Sequence, residues 1–195
     1  YVYRSWIRAM DGDEAAAVAL ARQAQEMEPM SQPVNICAAY TLFLAGRDEE
    51  AVAECEKCLE IDANFIVAIN IMGQIRAHQG RLAEAAALME RAASMSNRAP
   101  FYLGLLGNFY ARLGQSNKAN AIIADLGRMA PDRYVPPHCM TFIYAGMNDF
   151  DRAAEWEAKA YEDGAPPFNY YSPVIESFHS DPRHVAEIRR MKAGR

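Results

Sequence analysis

Cys55 and Cys58 stand at the spacing of a redox or metal pair, in the stretch EEAVAECEKCLEI. A redox pair needs a helix N-terminus to lower a thiol pKa, and a zinc site needs further ligands. Here the pair falls inside a helical stretch with no second pair beside it, so core packing is the expected role. Cys37 and Cys139 read as small apolar residues. His138 is adjacent to Cys139, and neighbouring side chains on a helix diverge by about 100°, which rules out a dyad. The remaining histidines, His78, His179 and His184, lie on different elements. No GxSxG, GxxxxGK[ST] or HExxH occurs, so nucleophile-elbow, phosphate-loop and zinc-protease chemistry have no signature. The sequence predicts no catalytic residue, no metal ligand and no cofactor, and the chain is expected not to be an enzyme.

The elements that would position any binding side chain repeat at one step. Ala17, Ala51, Ala85, Ala119 and Ala153 are each 34 residues apart. Gly12, Gly46, Gly80, Gly114 and then Asn148 keep the same step, as do the small or hydroxyl residues Ser5, Ala39, Gly73, Gly107 and Thr141. Three registers at a period of 34 specify a helix–turn–helix solenoid. Each unit reads as helix A, a turn at the glycine, and helix B. Helices are expected near 1–10 and 13–28, 33–45 and 48–61, 66–79 and 82–96, 100–112 and 116–129, and 136–147 and 150–163. Glycine ends helix A in a left-handed cap, and Asn148 is the next most tolerant type. Asp48 and Asp149, just before helix B, are expected to cap its free amides. Cys55 and Cys58 correspond to Ala21 and Ala24, to Met89 and Ala92, and to Ile123 and Leu126, all core types.

This pattern resembles the tetratricopeptide repeat family: the small helix A residue, the turn glycine, the helix B alanine and the closing prolines Pro29 and Pro131. The signature helix A aromatic is mostly missing, and Ala63, Asn97 and Ala165 replace the closing proline elsewhere. The resemblance implies an all-α, right-handed superhelix of about five units, 1–30, 31–64, 65–98, 99–132 and 133–164. Residues 165–195 follow as a loop and a capping helix. GAPPFNYYSP reads as an ordered loop and Val174–Phe178 as one helical turn. Ser180-Asp181-Pro182 is a helix start, with Val185, Ile188 and Met191 at helical spacing to cover the last unit.

The stretch RYVPPHCMTFIYAGMNDFDRAAEWEAKAYEDG, with FHSDPRHVAEIRRM after it, is similar to the end of tetratricopeptide regions in bacterial multidomain signalling proteins. His184 stands where those proteins usually have an aromatic. There the region follows a class III adenylate or guanylate cyclase, a winged-helix regulator or a kinase. No cyclase catalytic residue comes with the resemblance, because those belong to another domain. The chain starts at Tyr1, without Met and within an expected helix, so it reads as part of a longer protein.

In the family, stacked A helices line a concave side that binds peptides or helices. Carried onto this chain, that side comprises Tyr40, Phe43, Asn70, Gln74, His78, Asn108, Arg112, His138 and Phe142, together with Trp6. Asn70, Gln74 and Asn108 would hydrogen-bond a peptide backbone, Arg112 would pair with a carboxylate, and the aromatics would give flat apolar contacts. Gly104 would allow close backbone approach. A passive scaffold is the competing reading of the same residues. A chaperone-type carboxylate clamp needs several cations on adjacent A helices, and only Arg112 fits. The expected partner is a protein, a peptide or an attached effector domain. Self-association that sets a cyclase's oligomeric state and small-ligand sensing are the alternatives. A net charge of −5 argues against nucleic acid. No apolar run reaches the roughly 20 residues a membrane span needs. Acidic charge and buried thiols suit the cytoplasm, with the periplasmic side of a membrane-anchored parent as the alternative.

Overall fold

The computed structural model describes residues 1–164, 172–182 and 185. Among these the regular structure is helical, without strands: α1 (Val2–Met10), α2 (Glu14–Met27), α3 (Gln32–Leu44), α4 (Asp48–Ile61), α5 (Ile66–His78), α6 (Leu82–Met95), α7 (Pro100–Arg112), α8 (Ser116–Met129), α9 (His138–Gly146) and α10 (Phe150–Glu162). A 3-10 turn, Pro173–Ile175, and α11 (Glu176–His179) follow. The first ten helices lie within two residues of their expected bounds. The largest difference is at α9, expected from 136, where Pro136 and Pro137 hold the start back to His138. Of the expected C-terminal features, the loop at 165–171 and the helix carrying His184, Ile188 and Met191 lie outside the described residues. The start of that helix is visible, where the amide of Val185 donates to the Asp181 carbonyl.

One joint recurs in all five hairpins. Gly12, Gly46, Gly80 and Gly114 have φ between +69° and +80°, and Asn148 has φ +58°. The following amide reaches back to a helix A carbonyl, as Arg47 N to Leu42 O (2.9 Å) and Asp149 N to Tyr144 O (2.9 Å). That amide's residue is also the N-cap of helix B, so one residue closes one helix and opens the next. Asp13 and Asp149 complete the cap with their carboxylates, accepting from Ala16 N and Arg152 N at 3.2 Å. Asp48 does not: it is the first residue of α4 rather than its cap, and its carboxylate accepts from His78 instead. Asn148→Val should cost about 1 kcal/mol in chemical denaturation, because a β-branched side chain is strained at positive φ.

The alanine series lies at the floor of the packing: Ala17, Ala51, Ala85, Ala119 and Ala153 are all fully buried. Without side chains beyond Cβ, these positions let helix B settle closely onto helix A. Cys55 and Cys58 join Ile36, Leu42, Phe43, Ile71 and Ile75 in one core cluster. Burial pushes both thiols up, so they are inert packing groups. Between α2 and α4, Arg22 bridges Glu54 (2.8 Å) and Glu50 (3.1 Å). Burial alone would raise the Glu54 pKa, but hydrogen bonds from Arg22, Lys57 and Gln25 hold it below the ordinary value.

The chain divides into two compact units, the first ending at Ser96 and the second starting at Asn97. The division coincides with two consecutive left-handed residues, Asn97 (φ +51°) and Arg98 (φ +56°), at the position where the first and fourth units close with Pro29 and Pro131. The first unit contains α1 to α6 and the second α7 onward. At the second unit's far edge, Val174, Ile175 and Phe178 are buried, and Phe178 meets the Phe150 ring at 5.9 Å. No helix among the described residues is long and apolar enough to cross a membrane.

Candidate interaction face

Charge is partitioned between the two kinds of helix. The A helices α1, α3, α5, α7 and α9 contain no Asp or Glu; their charged residues are Arg4, Arg8, Arg76 and Arg112. The B helices carry acid throughout, densest on α4 with Asp48, Glu49, Glu50, Glu54, Glu56 and Glu60. A protein acidic overall thus has one set of helices free of carboxylates, and its candidate interaction residues sit there.

In the first unit an aromatic series crosses three A helices. Trp6 meets Tyr40 edge-on at 5.8 Å, Tyr40 meets Phe43 at 6.3 Å, and Phe43 meets His78 edge-on at 5.8 Å. The Trp6 indole donates to the Cys37 carbonyl at 3.4 Å, which fixes the ring's orientation. Tyr40 is half-buried, and burial pushes its phenol up to about 12, so it stays a neutral hydroxyl. Phe43 is fully buried and acts from beneath, as the platform on which Tyr40 and His78 rest. His78 is the exposed end of the series, its Nδ1 held 2.7 Å from Asp48 Oδ2. Asp48 is buried, and its Oδ1 makes no hydrogen bond. Asn70 and Gln74 are buried and bonded to each other, Gln74 Nε2 donating to Asn70 Oδ1 at 3.2 Å. Those amide groups are committed to the protein in part, rather than held open for a peptide backbone.

In the second unit α7 and α9 approach so closely that the expected face is filled by its own packing. A Cβ on Gly104 would lie 2.8 Å from the Cys139 Cα, and one on Gly146 would lie 2.7 Å from the Asn108 carbonyl oxygen. Gly104 does permit close backbone approach, and the backbone that approaches is α9. Asn108 is fully buried, with Nδ2 donating to the Phe142 carbonyl at 2.8 Å. Phe142 is buried too, inside a ring cluster with His138 (5.7 Å) and Phe101 (6.2 Å). Burial drives His138 down to about 4, so it is neutral at physiological pH. Arg112, at the end of α7, is the exposed member, although partial desolvation lowers its pKa.

Of the nine expected residues, then, Tyr40, His78 and Arg112 offer surface, and Phe43, Asn70, Gln74, Asn108, His138 and Phe142 support it. No group of three or more metal-ligating side chains forms among the described residues.

Residues 38–65 match the family model of the tetratricopeptide repeat. No curated protein matches the chain. Among solved structures, a thermophilic TPR protein of Thermus thermophilus is similar at 18% identity, with a TM-score of 0.63 over 91% of this chain and 98% of that one. A tetratricopeptide repeat protein from Parabacteroides merdae is similar at 13% identity, with a TM-score of 0.56 over 98% of this chain and 77% of the other. At such identities the likeness is one of fold: an all-helical repeat architecture.

Proposed function

We propose that this tetratricopeptide-type chain is a non-catalytic interaction module that captures a protein segment against its A helices. The observation that carries this reading is the partition of charge. Fifty-seven residues of A helix without one carboxylate, beside acid-rich B helices, leave the surface that the A helices contribute in each unit poor in groups that would repel an acidic or neutral partner. Trp6 and Tyr40 add flat apolar contact at low entropic cost, and His78 and Arg112 add donors at the ends of α5 and α7. The similarity of the closing segment to bacterial signalling proteins supports a regulatory role beside an effector module, with a nucleotide cyclase among the candidates.

The test is capture of the native partner from the protein's own cells. His78→Ala and Arg112→Ala change exposed side chains, so each should weaken capture roughly tenfold, the scale of one polar interface anchor, with circular dichroism unchanged. Undiminished capture by the double variant sinks the assignment.

A further inference from the structure

We infer that the C-terminal ends of the B helices in the first unit form a second docking edge, whose occupant is a basic amphipathic helix of a partner protein. The edge uses none of the residues of the A-helix face proposed above. Met27, Ile61 and Met95 follow the 34-residue step and are the last residues of α2, α4 and α6. They are 64%, 57% and 40% exposed. Their exposure belongs to the hairpin and not to a chain end, because Ile61 has a hairpin on each side and stays open. Side-chain links keep the three ends in sequence. Arg22 of α2 reaches Glu50 and Glu54 of α4, and Arg91 of α6 donates to the Ala63 carbonyl just past Ile61. Met30, 81% exposed in the turn after α2, widens the apolar ground at the first end.

Charge defines the occupant. Met27 stands between Glu26 and Glu28, and Ile61 between Glu60 and Asp62, all four exposed. A helix C-terminus carries the negative pole of the helix dipole, which favours Lys or Arg there and disfavours carboxylates. The last turns of α2, α4 and α6 contain no base. Each of these helices has one cation, and each is committed elsewhere: Arg22 and Lys57 hold Glu54, and Arg91 turns to Ala63 and Asn64. Glu26, Glu28 and Glu60 are engaged by no cation among the described residues. Cations brought by a partner therefore meet carboxylates and dipole ends together, beside apolar side chains. A helix is the fitting shape. Neighbouring helices in a stack lie on the order of 10 Å apart, and two turns of an α-helix rise by about the same length. An apolar residue on every second turn can thus reach each end in succession, and unbranched Met adapts to what it meets.

Fluorescence anisotropy with the full chain tests it, using a labelled peptide of about 18 residues with Leu along one helical face and Lys elsewhere. Saturable binding is expected with a Kd on the order of 10 μM, weakening as salt rises. Ile61→Asn should raise that Kd roughly fivefold, the scale of one interface anchor. Glu26→Gln with Glu60→Gln should raise it by a similar factor. Glu14→Gln with Glu49→Gln removes the same charge from the opposite ends of α2 and α4, and should leave binding nearly unchanged. A peptide with Glu in place of Lys should not bind. No saturation by about 200 μM protein overturns the inference. So do wild-type binding by Ile61→Asn and equal losses from the two glutamine pairs. All the altered side chains are exposed, so circular dichroism should stay as in the wild type. Should Ile61→Asn disturb α4, the Met27→Asn result decides in its place.

Discussion

Gly104→Val is expected to destabilise the second unit by about 3 kcal/mol, with the loss concentrated in α7 and α9. The added Cβ would meet α9 at backbone atoms, the Cys139 Cα at 2.8 Å and its carbonyl oxygen at 3.0 Å, so no side-chain rotation relieves the overlap. The two helices must separate, and separation strips contacts from Leu103, Leu105 and Ile143, which are fully buried. Gly127 supplies the control. It also lies inside a helix, α8, but a Cβ there meets nothing within 4 Å. Gly127→Ala should therefore stabilise by about 0.5–1 kcal/mol through helix propensity alone. Opposite signs in urea denaturation, with faster amide exchange in α7 and α9 only for the valine variant, are the expected results. Equal effects at the two glycines would contradict the close α7–α9 approach.

Glu157 carries the second large effect. The step of 34 aligns it with Ala21, Cys55, Met89 and Ile123, and it is 2% exposed on α10. Its Oε1 and the nearby Thr141 Oγ1 complete no hydrogen bond of ordinary geometry. Burial raises its pKa to about 8, and the proximity of Thr141 offsets part of that rise. In the unfolded chain the carboxyl titrates near 4.5. Below that value both states are protonated and the group's contribution to stability is fully present. Between pH 4.5 and about 8 only the unfolded state gives up its proton, so stability falls as pH rises; above about 8 both are ionised and the contribution is gone. The expected loss is on the order of 5 kcal/mol across that window. Glu157→Met, which installs the residue of the third repeat, should flatten the profile and stabilise the protein by a similar amount at pH 8, with little change at pH 4.5. Thermal melts of both proteins across that range test this; a wild-type profile flat between pH 4.5 and 8 would show that Glu157 is not buried as an acid.

The hairpins could be read from the sequence because each residue type at a repeat position answers a local demand. Only glycine or asparagine tolerates the joint, and only a small side chain fits under helix B. Asn108 and Phe142 show where such reading stops. The register places a side chain at an angle around its own helix, but says nothing of how near the next helix lies. Their availability depends on the distance between two helix axes, which Gly104 and Gly146 shorten from positions outside the repeating series. Asp48 shows a different limit. Its place before helix B fits a cap, but the neighbouring Arg47 amide takes the joint, and His78, thirty residues away, claims the carboxylate. Glu157 stood in an apolar column of the repeat alignment, and that exception was visible in the sequence alone.

The residue that closes helix A and opens helix B also governs where the chain can change length. Residues 11–13, 45–47, 79–81, 113–115 and 147–149 join the two helices of each hairpin, always three in number. Inserting one residue there would turn helix B by about 100° about its axis and carry its buried alanine to the surface. The links between hairpins carry no such constraint: 28–31, 62–65 and 96–99 are short, whereas 130–137 is twice as long. Insertions, tags and engineered loops therefore belong at 130–137, and a lineage of such chains would vary in length between hairpins while each hairpin passes on intact.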